Sequence, residues 1–489
     1  MSQSILKNTI SKFLLSVFNI FVPLLVNPYI HKLLNKEDFG VYNSATSIYA
    51  IFLVFASFGI YNYGVREISK VRDDKKALSS LFTNLFAFGI ITNVVVSLVY
   101  AVYVIFRVES GMQAIYMTMI IQILANAFMV EWLNEAIENY GFITKKTMVV
   151  RIISTVLLFL VVTKPEHTLN YAILMSLTNV VNNLASFFYI KKFVKFDFSK
   201  FNFFKYLKPL SLLLVISNAG ILYIAFDRVM ITEFLGKTDI SIISNYTIPS
   251  NLMNMLVIAM TSMITVSLPR LNYYANNGQT KDYLDLLDKS ARGYLILLFP
   301  ACMGLFCLGY EVMYLYGGGE KYIDSSVVLQ LFALRFICIS FYTIISNQIM
   351  YVYKKEKQIV WILLLGGILN VIMKFVLLFF NVLSPSTAVA TMTIAEIVVL
   401  LIMNRYVRKD LKININLFSS RYLKYLYCSL PFIPIVYLIK RFDLGIILTC
   451  LISIPICVIV YFGVLFIVKD DTVLSITNKI KAKFIKTNH

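Results

Sequence analysis

About fourteen stretches of mainly apolar residues follow one another along the chain, each near the ~20 residues that cross ~30 Å of hydrocarbon as a helix. They fall near 10–30, 41–63, 81–106, 113–135, 148–163, 168–190, 209–232, 246–268, 291–310, 325–349, 359–380, 386–404, 423–439 and 444–468. This pattern predicts an all-α polytopic membrane protein. Composition excludes the soluble alternative, because hydrophobic residues make up 59% and charged residues only 15%, against about a quarter charged in soluble domains.

The charges set the direction of the spans. Lys191 to Pro209 reads KKFVKFDFSKFNFFKYLKP, with Lys191, Lys192, Lys195, Lys200, Lys205 and Lys208 against one acid, Asp197. Loops that stay in the cytoplasm carry an excess of Lys and Arg, so this stretch and both termini are expected inside. The turns at Arg66–Lys76, Lys145/Lys146, Arg270–Arg292, Lys354–Lys357 and Arg405–Lys424 then lie on the same side. The formal charge of +19 is accounted for by these turns and by anionic lipid headgroups rather than by nucleic acid. The first apolar block follows Lys7 and Lys12, is longer than a signal-peptide core and has no small-x-small cleavage site. It is therefore expected to be retained.

The outer turns are short, which leaves no room for an external catalytic domain. Cys302, Cys307, Cys338, Cys428, Cys450 and Cys457 sit in apolar segments without metal-type clustering and read as buried hydrophobes. Tyr316-Gly317-Gly318-Gly319-Glu320-Lys321 lacks the Lys-Ser/Thr of a phosphate loop and reads as a turn. With three histidines and no nucleophile motif, neither enzyme chemistry nor a cofactor is indicated.

The two halves share spacings. Leu34-Asn35-Lys36-Glu37-Asp38, Tyr42 and Arg66 are matched by Leu235-Gly236-Lys237-Thr238-Asp239, Tyr246 and Arg270, with the same Tyr-to-Arg distance. Tyr140 with Lys145/Lys146 is matched by Tyr351/Tyr353 with Lys354/Lys355. Six spans are thus repeated in the same orientation, which predicts two bundles related by a pseudo-two-fold along the membrane normal. The expected organisation is an N-terminal six-helix bundle over 1–190, a basic cytoplasmic hinge over 191–208, a C-terminal six-helix bundle over 209–410, and two further spans with a basic tail over 411–489.

Several motifs carry a resemblance: Asn27-Pro28-Tyr29, Phe39-Gly40-Val41-Tyr42, Tyr63-Gly64-Val65-Arg66-Glu67, Glu131-Trp132-Leu133, Glu138-Asn139-Tyr140, Asp227-Arg228 and Leu268-Pro269-Arg270-Leu271. In order and spacing the chain resembles the polysaccharide repeat-unit flippases (O-antigen and capsule) of the multidrug/oligosaccharidyl-lipid/polysaccharide (MOP) exporter superfamily, whose fold is MATE-like. It departs from that pattern at Asn35, where the family usually has Gly, and at Asp227-Arg228, where the family has Asp-Lys. The resemblance implies an undecaprenyl-pyrophosphate-linked oligosaccharide as substrate, an H+ or Na+ coupling ion, and polysaccharide polymerase and chain-length machinery as partners.

Candidate site residues are the polar groups at membrane depth. Counting ~1.5 Å per residue puts Arg335 about 15 Å deep and Glu396 at a similar level. A charge there costs at least ~2.5–3.5 kcal/mol, so it should meet a partner or a water-filled cavity. Two readings stand: an Arg335–Glu396 pin between helices, or a cavity wall that binds pyrophosphate. Lys374, roughly 22 Å from its inner end, either contacts substrate or snorkels outward. Asp227 and Arg228 are read as gating or ion-coupling groups, together with Glu396. Arg66 and Arg270, at equivalent inner ends, either anchor the helices or attract pyrophosphate, to which Arg is geometrically suited. Asn179 and Asn182, like Gln122, Asn126, Asn183 and Asn218, are interhelical glue or ligands for sugar hydroxyls.

The function expected on these grounds is alternating-access transport of the lipid-linked repeat unit across a bacterial plasma membrane for surface polysaccharide synthesis. A multidrug extruder of the same fold is less suited, because the deep charges are mainly basic. A membrane polymerase or ligase would need a large external loop.

Overall fold

The computed structural model describes residues 5–474 apart from Lys200, Lys412, Asn414 and Ile415, and every regular element among them is helical. One compact unit ends at Ser244 and a second begins at Asn245. The first contains α1 (Ile5–Leu33), α2 (Lys36–Ser57), α3 (Ile60–Val71), α4 (Lys75–Arg107), α5 (Gln113–Asn126), α6 (Glu131–Ala136), α7 (Tyr140–Val161), α8 (Thr168–Ile190), α9 (Phe203–Ser217) and α10 (Ile224–Met230). The second is built from α11 (Ile242–Asn276), which starts just before the boundary, α12 (Thr280–Cys307), α13 (Gly309–Gly317), α14 (Ser326–Ile344), α15 (Glu356–Phe379), α16 (Pro385–Lys409), α17 (Ser420–Tyr427), α18 (Phe432–Lys440) and α19 (Ile446–Ile467). The basic stretch 191–208 and the seventh expected span thus lie in the first unit.

Helix α4 shows why these elements form a membrane protein. Its buried side includes Thr83, Asn84, Asn93 and Ser97, while Ile91, Val95, Leu98, Val102 and Phe106 are exposed. An apolar outer face over polar interhelical bonds suits lipid as the surrounding solvent. Among the described residues eleven segments are long and apolar enough to cross a membrane. The expected total of fourteen is not reached on that criterion. The other three regions are helix α1, the more basic α7, and the interrupted pair α9 and α10.

Among the described residues six expected spans are interrupted or distorted, the ninth at Leu308 between α12 and α13. The second breaks at Phe58 and Gly59, both left-handed at φ 46° and 72°. The carbonyl of Ala56 freed there accepts from Thr92 Oγ1 at 2.9 Å and Asn93 Nδ2 at 3.1 Å. The fourth breaks between Asn126 and Glu131, the seventh through a 3-10 turn at Ala219–Leu222, and the thirteenth between Tyr427 and Phe432. The tenth ends in a π-helical turn, Ile345–Met350. Hydropathy averaged over a span does not register such local departures.

The repeat is visible in the packing. In the first unit α4 packs on α5, α5 on α8 and α7 on α8; in the second, α12 packs on α14, α14 on α16 and α15 on α16. These are the same pairs counted along the six-span repeat. The last spans lie along α12 and α13 and are tied at both ends. Asp288 of α12 bonds Arg421 Nη2 and the Tyr422 hydroxyl, each at 2.8 Å, and Lys440 bonds Glu311 at 2.9 Å and the Cys307 carbonyl at 3.0 Å.

Candidate functional site

In the second unit, α16 is the element on which two buried cations converge. Its start is set by a capping box between Ser384 and Thr387, with Pro385 in the first turn. Arg335 of α14 meets Glu396 of α16 through two parallel bonds, Nε to Oε2 and Nη2 to Oε1, each 2.6 Å. The two side chains are 5% and 10% exposed, and the guanidinium lies 4.8 Å from the centre of the Phe336 ring. Planar bidentate pairing is the strong form of an ion pair and is specific to Arg.

Lys374 of α15 does not snorkel. It is wholly buried, and its ammonium donates to Asn370 Oδ1 at 2.8 Å, Thr391 Oγ1 at 2.9 Å and the Ala388 carbonyl at 3.1 Å. Oxygens within reach remove the need to extend to the surface. Glu396 and Thr391 are five residues apart on α16, about 140° around the helix. Arg335 and Lys374 therefore meet α16 at separate points, each with its own set of oxygen partners.

The remaining candidates are dispersed. Arg66 is exposed in the middle of α3, which runs on to Val71 rather than ending at Arg66, and it is bonded through Nε to Glu67 at 2.8 Å and lies 5.6 Å from the Tyr63 ring. Arg270, six residues before the end of α11, is also exposed. Asp227 and Arg228 sit on the short α10, below the break at Tyr223, with Asp227 wholly buried and Arg228 half-buried.

Asn179 Nδ2 donates to Gln122 Oε1 at 2.8 Å, and Gln122 in turn donates to Ser176 at 3.1 Å, so these amides link α5 to α8. Asn183 Nδ2 donates to the Ala125 carbonyl at 3.0 Å, and Asn126 to Asn93 at 3.0 Å. Asn182 differs: its side-chain oxygen is buried with no hydrogen-bond partner among the described residues.

One buried ion pair was missed by reading Lys145 and Lys146 together as a surface flank. Lys146 is 8% exposed and pairs with Glu131 of α6, while also donating to Ser186 Oγ at 2.8 Å and the Asn182 carbonyl at 3.2 Å. It thereby ties the short helix after the fourth-span break to α7 and α8. Helical phase carried the signal, since Lys146 falls on the same side of α7 as Ile143, Ser154 and Leu158, all buried. Arg292 was likewise grouped with a basic turn, yet it is 6% exposed and bonds Asp288 at 2.8 Å.

The family and the fold have counterparts among known proteins. The profile of the family described as "Polysaccharide biosynthesis protein" matches residues 5–274, more than half of the chain. The chain belongs to the polysaccharide biosynthesis protein family. A relative from Escherichia coli (strain K12), described as "Putative O-antigen transporter", is 22% identical over 415 residues, covering 83% of this chain and 97% of the relative. The fold matches that of the lipid II flippase MurJ in an inward closed conformation, with TM-score 0.72 at 15% identity over 96% of this chain and 99% of MurJ. An inward-facing multidrug resistance MATE family transporter of the MOP superfamily follows at TM-score 0.57, 11% identity, and 81% and 94% coverage. This family member is thus an all-helical, multi-pass membrane protein whose fold is shared with MurJ and with MATE family transporters.

Proposed function

We propose that the chain flips an undecaprenyl-pyrophosphate-linked oligosaccharide repeat unit from the inner to the outer leaflet of a bacterial plasma membrane, by alternating access, to supply surface polysaccharide synthesis. Both termini are cytoplasmic in this reading, and the export polymerase and chain-length machinery act on the product. Family membership supports the substrate class. The observation that carries the mechanism is the buried guanidinium of Arg335, held in mid-span by a carboxylate.

An anion crossing hydrocarbon needs an opposite charge along its path. Pyrophosphate offers Arg335 the same planar oxygen geometry as Glu396 and more negative charge, so it competes for the guanidinium when it reaches that depth. Arg270, exposed near the end of α11, and Arg66, exposed within α3, each offer a guanidinium to an incoming pyrophosphate on the surface of their own unit. Asn182 supplies an amide for the sugar. Glu396, Asp227 and Arg228 are the proposed coupling or gating groups, for H+ or Na+. Lys374 and Asn179 contribute by holding neighbouring helices in register.

The test is reconstitution in proteoliposomes with lipid-linked oligosaccharides from several pathways, scoring which reach the opposite leaflet. Selective movement of one or more of them is expected. Movement of organic cations but of no lipid-linked oligosaccharide would favour the multidrug extruder and sink this assignment.

A further inference from the structure

Residues 191–208 are neither a loose linker nor a plain charged turn. The segment leaves α8 at Ile190, the end of a membrane span, and three of its backbone N–H groups are captured by α4. Lys195 N donates to Ser79 Oγ at 3.2 Å, Asp197 N to Thr83 Oγ1 at 2.9 Å and Asn202 N to Asn84 Oδ1 at 2.9 Å. Its own Val194 and Tyr206 are buried, and Phe196 packs 5.7 Å from Phe82 and 5.5 Å from Phe86. These anchors hold the backbone in one shape.

The outward side has a second character. Phe198 and Phe204 are 61% and 80% exposed, with Phe193 and Phe201 also exposed. Among them stand the exposed Lys191, Lys192, Lys195, Lys205 and Lys208. Lys191 lies 5.0 Å and 5.1 Å from the Phe187 and Phe188 rings, and Lys192 5.1 Å from Tyr189. Exposed rings on a segment this basic are costly in water, yet both suit the headgroup region, where rings enter the acyl boundary and ammonium groups meet phosphates.

We propose that this segment is an interfacial strap that binds anionic phospholipid headgroups in the leaflet at the basic end of the spans. Charge complementarity selects the lipid: only Asp197 opposes the lysines, so acidic phospholipid is preferred over zwitterionic. Fixing the strap to lipid fixes the start of α4, because the two share the captured N–H groups.

The full-length protein carrying Phe198→Trp or Phe204→Trp is placed in nanodiscs of phosphatidylcholine with or without phosphatidylglycerol, using brominated acyl chains as quenchers. Emission beyond that of the native Trp132 and Trp361 should be quenched. Replacing the five described lysines by Gln should raise the phosphatidylglycerol fraction needed for half-maximal thermal stabilisation by at least roughly tenfold. No quenching of either introduced Trp would overturn the interfacial placement. An unchanged phosphatidylglycerol response in the Gln variant, or stabilisation by undecaprenyl pyrophosphate alone, would overturn the choice of lipid. Should the five-fold variant not fold, Lys191→Gln with Lys192→Gln tests the same dependence in a smaller step, read as a weaker response or, if unchanged, a refutation.

Discussion

Replacing Arg335 and Glu396 singly and together separates a structural pin from a substrate contact. Both side chains are nearly enclosed and joined by two 2.6 Å bonds, so removing one partner strands a charge at about 3–5 kcal/mol. Arg335→Met and Glu396→Met are each expected to lose that much stability. The double variant has no charge to strand and is expected near the parent or slightly above it, since replacing a buried pair by apolar groups is often neutral or stabilising by ~1–4 kcal/mol. The singles sum to about 6–10 kcal/mol, so the departure from additivity should exceed ~3 kcal/mol. Unfolding in detergent measures this, and flipping in proteoliposomes is scored on the same preparations. If Arg335 holds pyrophosphate, the stable double variant stays inactive, because no apolar side chain replaces a positive charge facing an anion. Parental stability in both singles would refute the electrostatic argument, and full transport in the double would show that Arg335 only pins two helices.

The same logic applies to Lys146, where Lys146→Met strands Glu131 and should cost about 3–5 kcal/mol, recovered in part by Glu131→Gln and measured by the same unfolding assay. Gly64→Ala would put a Cβ 2.6 Å from the Trp132 ring and should destabilise by about 1–3 kcal/mol, whereas Gly304→Ala, which meets nothing within 4 Å, should not. Asp470, beyond α19, is desolvated by burial, but Lys424, the Val473 N–H and the Tyr425 hydroxyl outweigh this and hold its carboxyl below its usual 3.8. A depressed folded pKa stabilises above the unfolded value and loses that contribution as pH falls through the folded one. Asp470→Asn should therefore lower the melting temperature at neutral pH, with the difference from the parent closing as pH falls below the usual carboxyl value of 3.8 and through the lower folded one. A difference independent of pH would show that Asp470 acts by packing alone.

Much of the fold was legible along the chain. Apolar run length, the basic turns and the equal Tyr42–Arg66 and Tyr246–Arg270 spacings each depend on the order of residues, and the bilayer makes them readable by imposing the same thickness on every span. Depth is legible for the same reason, and it sets Arg335 level with Glu396, its partner in the fold. Which groups meet was decided only in three dimensions. Lys374 found three oxygens on its own helix and on α16 instead of reaching for the surface, Lys146 turned inward to Glu131 while its neighbour Lys145 did not share that pair, and Ala56 surrendered a helical bond to Thr92 and Asn93 of α4. Hydropathy describes how a segment meets lipid, whereas these outcomes depend on the rotation of each helix and the polar atoms its neighbours present, and that is set by packing.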